Sequence, residues 1–276
     1  MFLAAFLLLA PIDGPPVDDL PADDARAAAV VLDRWAEANR GVTSVRATYR
    51  RRLFDHGFQT VTLTEGEFRH DPASGTLLTV RPAAEGTARR YECGGVVHDV
   101  DSSTDEPRWF WDAADGTGWR IDDDRREAER FARGAPFFNV RLTPDLLFPF
   151  APGRPFPPRS GDWTFSVVRR TPDAVFLLAT PQRAELAANY RSALLRFRRS
   201  DGTLRGVRYH APSGDSARDD FFDEVEQNPG PTPRPTLDGY EVRDGTVRAL
   251  IAPESGDATA EWERLRSPGA ERPNPR

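Results

Sequence analysis

Apolar and polar positions alternate through the stretch from Val42 to Phe68. In its first half the apolar residues occupy every second position, at Val45, Ala47, Tyr49 and Leu53. The positions between them are polar, at Arg46, Thr48, Arg50 and Arg52. A period of two is typical of a β-strand with one buried and one solvated face. Asp55-His56-Gly57 interrupts the alternation, after which Val61 and Leu63 alternate with threonines. The pattern predicts a long antiparallel hairpin.

A helix is predicted immediately before this hairpin. Asp23 and Asp24 can cap its start, and Gly41 follows its expected end at Arg40. Its apolar residues recur at intervals of three and four and form one stripe, made of Ala28, Val31, Leu32, Trp35 and Ala38. Because the chain enters the first strand directly, we expect the helix to fold back on the sheet with Trp35 as a plug.

Short strands at hairpin spacing are predicted along most of the remaining chain. They are expected at 76–81, 87–93, 96–100, 108–112, 119–121, 163–167, 175–180, 194–199, 204–210 and 221–226. Two segments differ in their composition: 122–133 favours a helix, and 181–190 favours either a helical turn or an exposed loop. The order of elements predicts an α+β fold, with a single antiparallel sheet curled around the N-terminal helix.

The segment from Pro136 to Pro158 is rich in both proline and large apolar residues. Its prolines exclude a long helix or an inner strand, so its apolar side chains must pack over another part of the molecule. Two interpretations stay open: an ordinary loop that covers the open end of the sheet, or a lid over an apolar cavity. The lid would be formed by Leu146, Leu147, Phe148 and Phe150.

The ends of the chain predict three regions. We expect a signal-like segment and Pro-rich linker at 1–22, one folded domain at 23–228, and a Pro-rich linker, edge strand and disordered tail at 229–276. Met1 to Ala10 is apolar and as long as the hydrophobic part of a signal peptide, but it lacks a positively charged start. Export to the periplasm is the prediction; a buried or frayed segment is the alternative.

Charge and cysteine content exclude several classes of protein. All 37 basic residues are arginine, acidic residues are interspersed with them, and the net charge is -6. No basic face is evident, so nucleic-acid binding is not expected. Cys93 is the only cysteine, which excludes an intrachain disulfide and a cysteine-based zinc site. The four histidines have no ligand spacing, and we expect neither a metal nor a cofactor.

No catalytic motif is recognisable. The chain has no nucleophile elbow, P-loop, zinc-protease motif or dinucleotide-binding glycine pattern. His98 beside Asp99 could move a proton, and Glu65 with Glu67 could form a carboxylate pair, but no nucleophile can be assigned. A non-enzymatic protein is therefore predicted, with a hydrolase using His98 or these carboxylates as the less favoured alternative.

From Ala25 to Gln227 the order of motifs resembles the outer-membrane lipoprotein carrier family, the LolA/LolB-like proteins. The motifs that carry the resemblance are Ser44-Val45-Arg46-Ala47-Thr48-Tyr49, Glu65-Gly66-Glu67-Phe68, Gly94-Gly95-Val96, the lid-like 142–147, and the hairpin of Phe197 to Leu204. The chain is more similar still to an uncharacterised, carrier-like group from planctomycete genomes.

This resemblance implies an incomplete β-barrel whose apolar cavity, closed by helices, holds acyl chains. Asp71 stands where typical carriers have the arginine that holds the lid closed, so that latch is not expected here. The Pro-rich lid also differs from a helical one.

The leading hypothesis is an exported protein that holds a lipid or a lipoprotein acyl chain. The cavity would be lined by Val45, Ala47, Tyr49, Leu53, Val61, Leu63, Trp163, Phe165 and Phe197. A monomer is expected, with a lipid, an acylated protein or an envelope protein as partner and at most peripheral contact with a membrane. The alternative is a structural or protein-interaction module of the cell envelope whose interior is filled.

Overall fold

The computed structural model describes residues 23–83, 90–101, 108–131, 136–137, 140–141, 148–152 and 161–245. Within these ranges the helices are α1 (Asp24–Ala38) and α2 (Ala184–Ala187). The strands are β1 (Val45–Asp55), β2 (Thr60–Asp71), β3 (Gly75–Pro82), β4 (Arg90–Cys93), β5 (Val96–Asp101), β6 (Arg108–Asp112), β7 (Gly118–Asp122), β8 (Glu127–Phe131), β9 (Pro136–Phe137), β10 (Val140–Arg141), β11 (Trp163–Arg170), β12 (Ala174–Pro181), β13 (Ser192–Arg198), β14 (Leu204–His210), β15 (Ser216–Gln227) and β16 (Glu241–Asp244).

One large curved sheet dominates the fold. Its strands follow the order β11-β12-β13-β14-β15-β1-β2-β3-β6-β7-β8-β16, and the hairpin β4–β5 branches from β2. The sheet is not closed, because β11 and β16 are its two ends, so the predicted incomplete β-barrel is confirmed. Pairing is antiparallel except where β5 joins β2 and β16 joins β8, which are parallel.

Helix α1 begins and ends close to the predicted residues. The Asp23 carboxylate accepts hydrogen bonds from the backbone N–H of Ala25 and Arg26, at 2.8 and 3.3 Å, and so satisfies two of the free donors of the first turn. The helix ends at Ala38, and Gly41 has a φ of 78° in the turn into β1. Its buried stripe of Ala27, Ala28, Val31 and Trp35 packs on the sheet.

The predicted β1–β2 hairpin is present, and it lies at the centre of the sheet. Burial along β1 alternates from Val45 to Tyr49, and β15 and β2 pair with β1 on either side. We call the face that carries Val45, Ala47 and Tyr49 the concave face, and the opposite face the outer face.

The helix predicted at 122–133 is absent from the described part of that segment, residues 122–131. They form a turn followed by β8, in which Ala128 and Phe131 are buried on opposite faces of the sheet. The prediction rested on composition alone. Pairing with β7 and the burial of both faces outweigh that intrinsic preference.

The segment after Asn228 packs on the sheet, in contrast to the expected linker. Leu237 and Tyr240 lie against an outer-face cluster formed by Leu77, Phe110, Ile121 and Ala128. The backbone N–H of Thr232, a buried residue, donates to Ser74 Oγ at 2.8 Å. The segment then adds β16 at the edge of the sheet, inside the predicted range for an edge strand.

Candidate functional site

Protein side chains cover the concave face along most of its length. On β11 to β14 the cover is helix α1, whose buried stripe packs with Val175, Leu177, Leu195 and Phe197. On β15, β1, β2, β3 and β6 it is the short segment 148–152, which places Phe148 and Ala151 against Tyr49, Phe68 and Phe222. The concave face is therefore packed against these two covers, whereas the carrier hypothesis expected an open cavity there.

Several of the predicted cavity residues meet beneath these covers. Val45, Ala47, Tyr49, Trp163 and Phe197 are all buried, and Phe165 is partly buried against the cluster under α1. The Trp35 ring packs edge-on against Phe197, with ring centroids 5.4 Å apart, so the predicted plug residue does contact the sheet.

Three other predicted residues lie elsewhere. Leu53 lies on the concave face of β1, as its alternation with Arg52 indicates, but its side chain is 42% exposed. Val61 and Leu63 lie on the outer face, because Val61 is paired with Phe54 and Leu63 with Arg52 in the hairpin. They pack there with Phe54, Cys93, Ala217 and Tyr91 under the β4–β5 hairpin. Alternation alone identifies a buried face at each place, but it does not tell which of the two faces is buried.

Of the predicted lid residues, two can be located. Phe148 and Phe150 are buried, and the Phe150 ring lies 4.8 Å from Trp163 and 6.2 Å from Phe165, centroid to centroid. Leu146 and Leu147 lie outside the described residues. The described part of the predicted lid therefore packs as core.

A cleft of about 330 Å³ opens where the two covers meet. It lies between the last turn of α1, Pro152 and the rim of β13 to β15. Trp35 and Leu204 connect it to the cluster under α1, while Val225 packs against the cluster under residues 148–152. The lining is completed by Ala38, Asn39, Arg198, Thr203, Arg205, Glu224 and Gln227. Its volume is within the usual range of small-molecule sites.

Two β-bulges shape the rim of this cleft. On β14, Arg205 is the extra residue between Leu204 and Gly206, which pair with the consecutive residues Phe197 and Arg196. On β15, Glu224 and Val225 together oppose Ala47 of β1, and Glu224 has a φ of 49°. Bulges redirect side chains and are over-represented next to functional sites.

The charged groups of the cleft differ in their partners. Arg198 donates from Nε to Asp201 at 2.9 Å, and Glu224 accepts from the Thr48 hydroxyl at 2.8 Å. The half-buried Arg205 makes no ion pair or hydrogen bond from its guanidinium to the described residues. Among the described residues, the cleft thus carries one arginine and one carboxylate, Arg205 and Glu224, that form no ion pair.

A buried ion pair lies deeper on the concave face. Arg218 Nη2 is 3.1 Å from Asp220 Oδ2, and the Tyr49 hydroxyl donates to Asp220 Oδ1 at 2.6 Å. The Arg218 guanidinium lies over the Tyr209 and Phe148 rings, at 4.5 and 5.5 Å from their centroids. It therefore joins the sheet to the segment 148–152.

Burial determines the ionisation of this group of residues. Burial, and then the charge of Asp220, raises the pKa of the Tyr49 hydroxyl, so that Tyr49 remains a donor. Burial also raises the pKa of the Asp220 carboxyl, while Arg218 and the bond from Tyr49 act in the opposite direction. The alternation of Arg218, Asp220 and Phe222 along β15 is the sequence signal that could have indicated these residues.

Three further polar atoms are buried on the concave face. Trp111 Nε1, Trp163 Nε1 and Thr64 Oγ1 have no hydrogen-bond partner among the described residues. Buried polar atoms of this kind are uncommon in native proteins, and each requires a physical explanation. The concave face therefore presents donors as well as apolar rings.

In the described ranges no three histidine, cysteine or acidic side chains come together as a metal site. Among the described helices none is both long and apolar enough to cross a membrane. His98, the candidate proton-transfer residue, is buried, with Nε2 2.9 Å from His56 Nδ1. Glu67 pairs with Arg46 and Arg69, and Glu65 with Arg81.

No known family profile matches the chain, and no curated protein matches it. The chain is similar to several solved structures. One is an uncharacterised conserved protein from Thermus thermophilus, 12% identical, with 79% of this chain and 98% of that one covered and a TM-score of 0.41. Another is a LolA superfamily protein from Nitrosomonas europaea, 11% identical, with 75% and 94% covered and a TM-score of 0.32.

A third is MucB in its complex with MucA, from Pseudomonas aeruginosa. It is 15% identical, with 74% of this chain and 58% of that one covered and a TM-score of 0.29. All three TM-scores are below 0.5.

Proposed function

We propose that this protein is a non-enzymatic binding protein that holds an apolar chain on the concave face of its sheet. The observation that carries the proposal is the position of the cleft, at the seam between α1 and the segment 148–152. A chain entering there meets Trp35, Leu204 and Val225, and it reaches both buried clusters if the two covers separate from the sheet. Exported lipids and acylated proteins are the ligands of this kind that we expect.

The two covers are suited to such a movement. Each is a short element held to the sheet chiefly by apolar and aromatic contacts, as between Trp35 and Phe197 or between Phe150 and Trp163. A bound acyl chain would replace contacts of the same chemical type, so opening would be offset by burial of the ligand. The donors of Trp111, Trp163 and Thr64, which have no partner among the described residues, would be available to a ligand's ester or hydroxyl oxygens.

The binding test uses a series of straight-chain alcohols that displace a neutral fluorescent dye. Each added methylene contributes about 0.8 kcal/mol when it is buried, so the dissociation constant should fall about fourfold per carbon. Added salt should hardly change it. If no member of the series displaces the dye, or if chain length has no effect, the proposal is wrong.

A variant that fills the cleft locates the site. Ala38 lines the cleft at the last residue of α1, so Ala38→Trp should weaken binding of the longest alcohol by about tenfold or more. Ala29 is exposed on the same helix and provides the matched control, because Ala29→Trp adds the same ring outside the cleft. Equal affinity in the two variants would exclude this cleft as the entrance.

The second candidate function is a protein-interaction module of the cell envelope with a filled core. The packed concave face favours it, since Val45, Ala47 and Tyr49 are already buried by protein side chains. On this account no alcohol binds at any chain length, which the same titration detects.

A further inference from the structure

The cleft combines an apolar floor with one arginine that has no counterion among the described residues. Trp35, Leu204 and Val225 provide the floor, and the Arg205 guanidinium lies on the rim. A fully apolar ligand would leave that guanidinium facing only water, whereas an anion at the rim would complement it. Guanidinium groups bind carboxylates and phosphates through short, charge-assisted hydrogen bonds.

The backbone at this rim is built to place Arg205 in the cleft. In a regular strand the residue after the buried Leu204 would point away from the concave face, and Gly206 would follow it inward. The bulge makes Arg205 an extra residue, and Val207 resumes the buried face three positions after Leu204. The neighbouring bulge at Glu224 lies on the adjacent strand and lines the same cleft.

No carboxylate of the described residues is in ion-pair contact with Arg205. Asp201 pairs with Arg198. The Glu224 carboxylate accepts a hydrogen bond from Thr48, whose side chain lies on the outer face. On the strand next to β14, Asp223 pairs with Arg50 and Glu226 lies 3.8 Å from Arg46. Asp201, Asp223 and Glu226 therefore already pair with other arginines, and Glu224, which keeps its negative charge, is held by a neutral hydroxyl.

We propose that the natural ligand is an anionic amphiphile, an inference that rests on the proposed function. Its apolar chain enters the cleft past Trp35, and its negatively charged headgroup, a carboxylate or a phosphate, pairs with Arg205 at the rim. The protein thus selects the charge of the headgroup as well as the length of the chain.

The experiment compares four ligands in the dye-displacement assay. All four have the same chain of about twelve carbons, whose volume is on the order of that of the cleft. They are the alcohol, the carboxylate, the phosphate monoester and the trimethylammonium salt. At low ionic strength the carboxylate or the phosphate monoester, or both, should bind about tenfold or more tightly than the alcohol. The trimethylammonium salt should bind more weakly, and added salt should reduce the preference.

Arg205→Gln assigns the preference to this residue. It should remove the advantage of the anions over the alcohol, while Arg205→Lys should keep part of that advantage. Arg196→Gln is the matched control, because Arg196 is exposed on β13 and pairs with Asp173 at 3.7 Å, outside the cleft. Thermal unfolding of each variant confirms that it is folded before it is titrated.

The outcomes separate the two proposals. If the alcohol binds and the anions bind no more tightly, or if Arg205→Gln retains the preference, the headgroup inference is overturned while the apolar site stands. If none of the four ligands binds, the proposed function itself fails. Preference for one anion alone identifies which headgroup the rim recognises, and inorganic phosphate without a chain should bind at least about tenfold more weakly than the phosphate monoester.

Discussion

At the scale of single residues, the concave face is an apolar surface with a few polar groups whose burial costs free energy. Tyr49 and Asp220 are buried at its centre, and the partly buried Arg218 lies beside them, where the sheet, the aromatic rings and the segment 148–152 meet. A buried charge of this kind is tolerated only when its hydrogen bonds are made. The hydroxyl of Tyr49 therefore has a defined structural task.

Tyr49→Phe should lower the free energy of unfolding by about 1–3 kcal/mol, because Asp220 Oδ1 loses its donor in a site without water contact. Tyr240→Phe is the control: its hydroxyl donates to Asp123 at an exposed position, and its loss should change stability by less than about 0.5 kcal/mol. Chemical denaturation measures both. Equal losses would contradict the assigned role of Tyr49.

His210 makes stability depend on pH. Burial, and then the positive charge of Arg208, lowers the pKa of its imidazole below that of the unfolded chain. The unfolded state then binds more protons at acid pH, so stability falls as the pH drops below about 6.5 toward the folded-state pKa. His210→Gln should reduce the stability difference measured between about pH 8 and about pH 5.5; an unchanged difference would exclude this contribution.

At the scale of elements, the close pairing of β1, β2 and β3 depends on Gly66. Gly66 lies opposite Tyr49 in the hairpin, and a Cβ at that position would be 1.8 Å from the backbone oxygen of Thr79 on β3. The two strands would have to separate to admit it, which is a backbone movement within the centre of the sheet.

Gly66→Ala should therefore cost roughly 3 kcal/mol of unfolding free energy. Gly57→Ala, in the turn of the same hairpin, would place its Cβ 3.3 Å from one side-chain atom, the Asp55 carboxylate oxygen that accepts from the Phe58 N–H, and should cost less than about 0.5 kcal/mol. Melting curves of the two variants test the comparison. If Gly66→Ala is as stable as Gly57→Ala, the strands are not packed as closely as described.

Regular alternation made several elements predictable from the sequence. The expected ranges for β6 and β14 match those observed, and α1 differs only in its last turn. The two bulges were not predicted, although their signal is present: Leu204 and Val207 are both buried at a spacing of three, as are Phe222 and, in part, Val225. A strand with a period of two cannot bury both residues on one face without an extra residue between them.

The candidate site was predicted only in part. The aromatic and small residues of the concave face follow from their parity, and Trp35 from the helix stripe. Val61 and Leu63 were placed on the wrong side of the sheet because a second buried face, under the β4–β5 hairpin, also produces apolar alternation. Arg205 could not be selected from among 37 arginines, because its significance depends on which carboxylates lie near it in space.

At the scale of the whole molecule, both faces of the sheet are covered, and different parts of the chain provide the covers. Helix α1 and residues 148–152 lie on the concave face, while residues 229–245 lie on the outer face over Phe110 and Ile121. The apolar floor of the cleft belongs to the two concave-face clusters and not to the outer cluster. The outer cover should therefore contribute to stability without taking part in binding.

A chain that ends at Asn228 tests the outer cover against a chain that ends at Gly245. Loss of Leu237 and Tyr240 exposes the outer cluster and should lower stability by roughly 3 kcal/mol, with increased self-association. Affinity for a long alcohol should be unchanged in the molecules that remain folded. Lost binding at full stability would contradict this division between the two faces.

The central claim, that an apolar chain lies between the covers and the concave face, is tested most directly by fluorescence quenching with a dodecanol brominated along its chain. Bromine quenches only nearby indoles, and Trp35 lines the cleft whereas Trp119 lies with the outer cluster. We predict strong quenching of the natural chain, a smaller quenched fraction in Trp35→Phe, where Trp111 and Trp163 of the concave face remain, and no such decrease in Trp119→Phe. Equal quenching in the two variants, or none in the natural chain, would contradict the account.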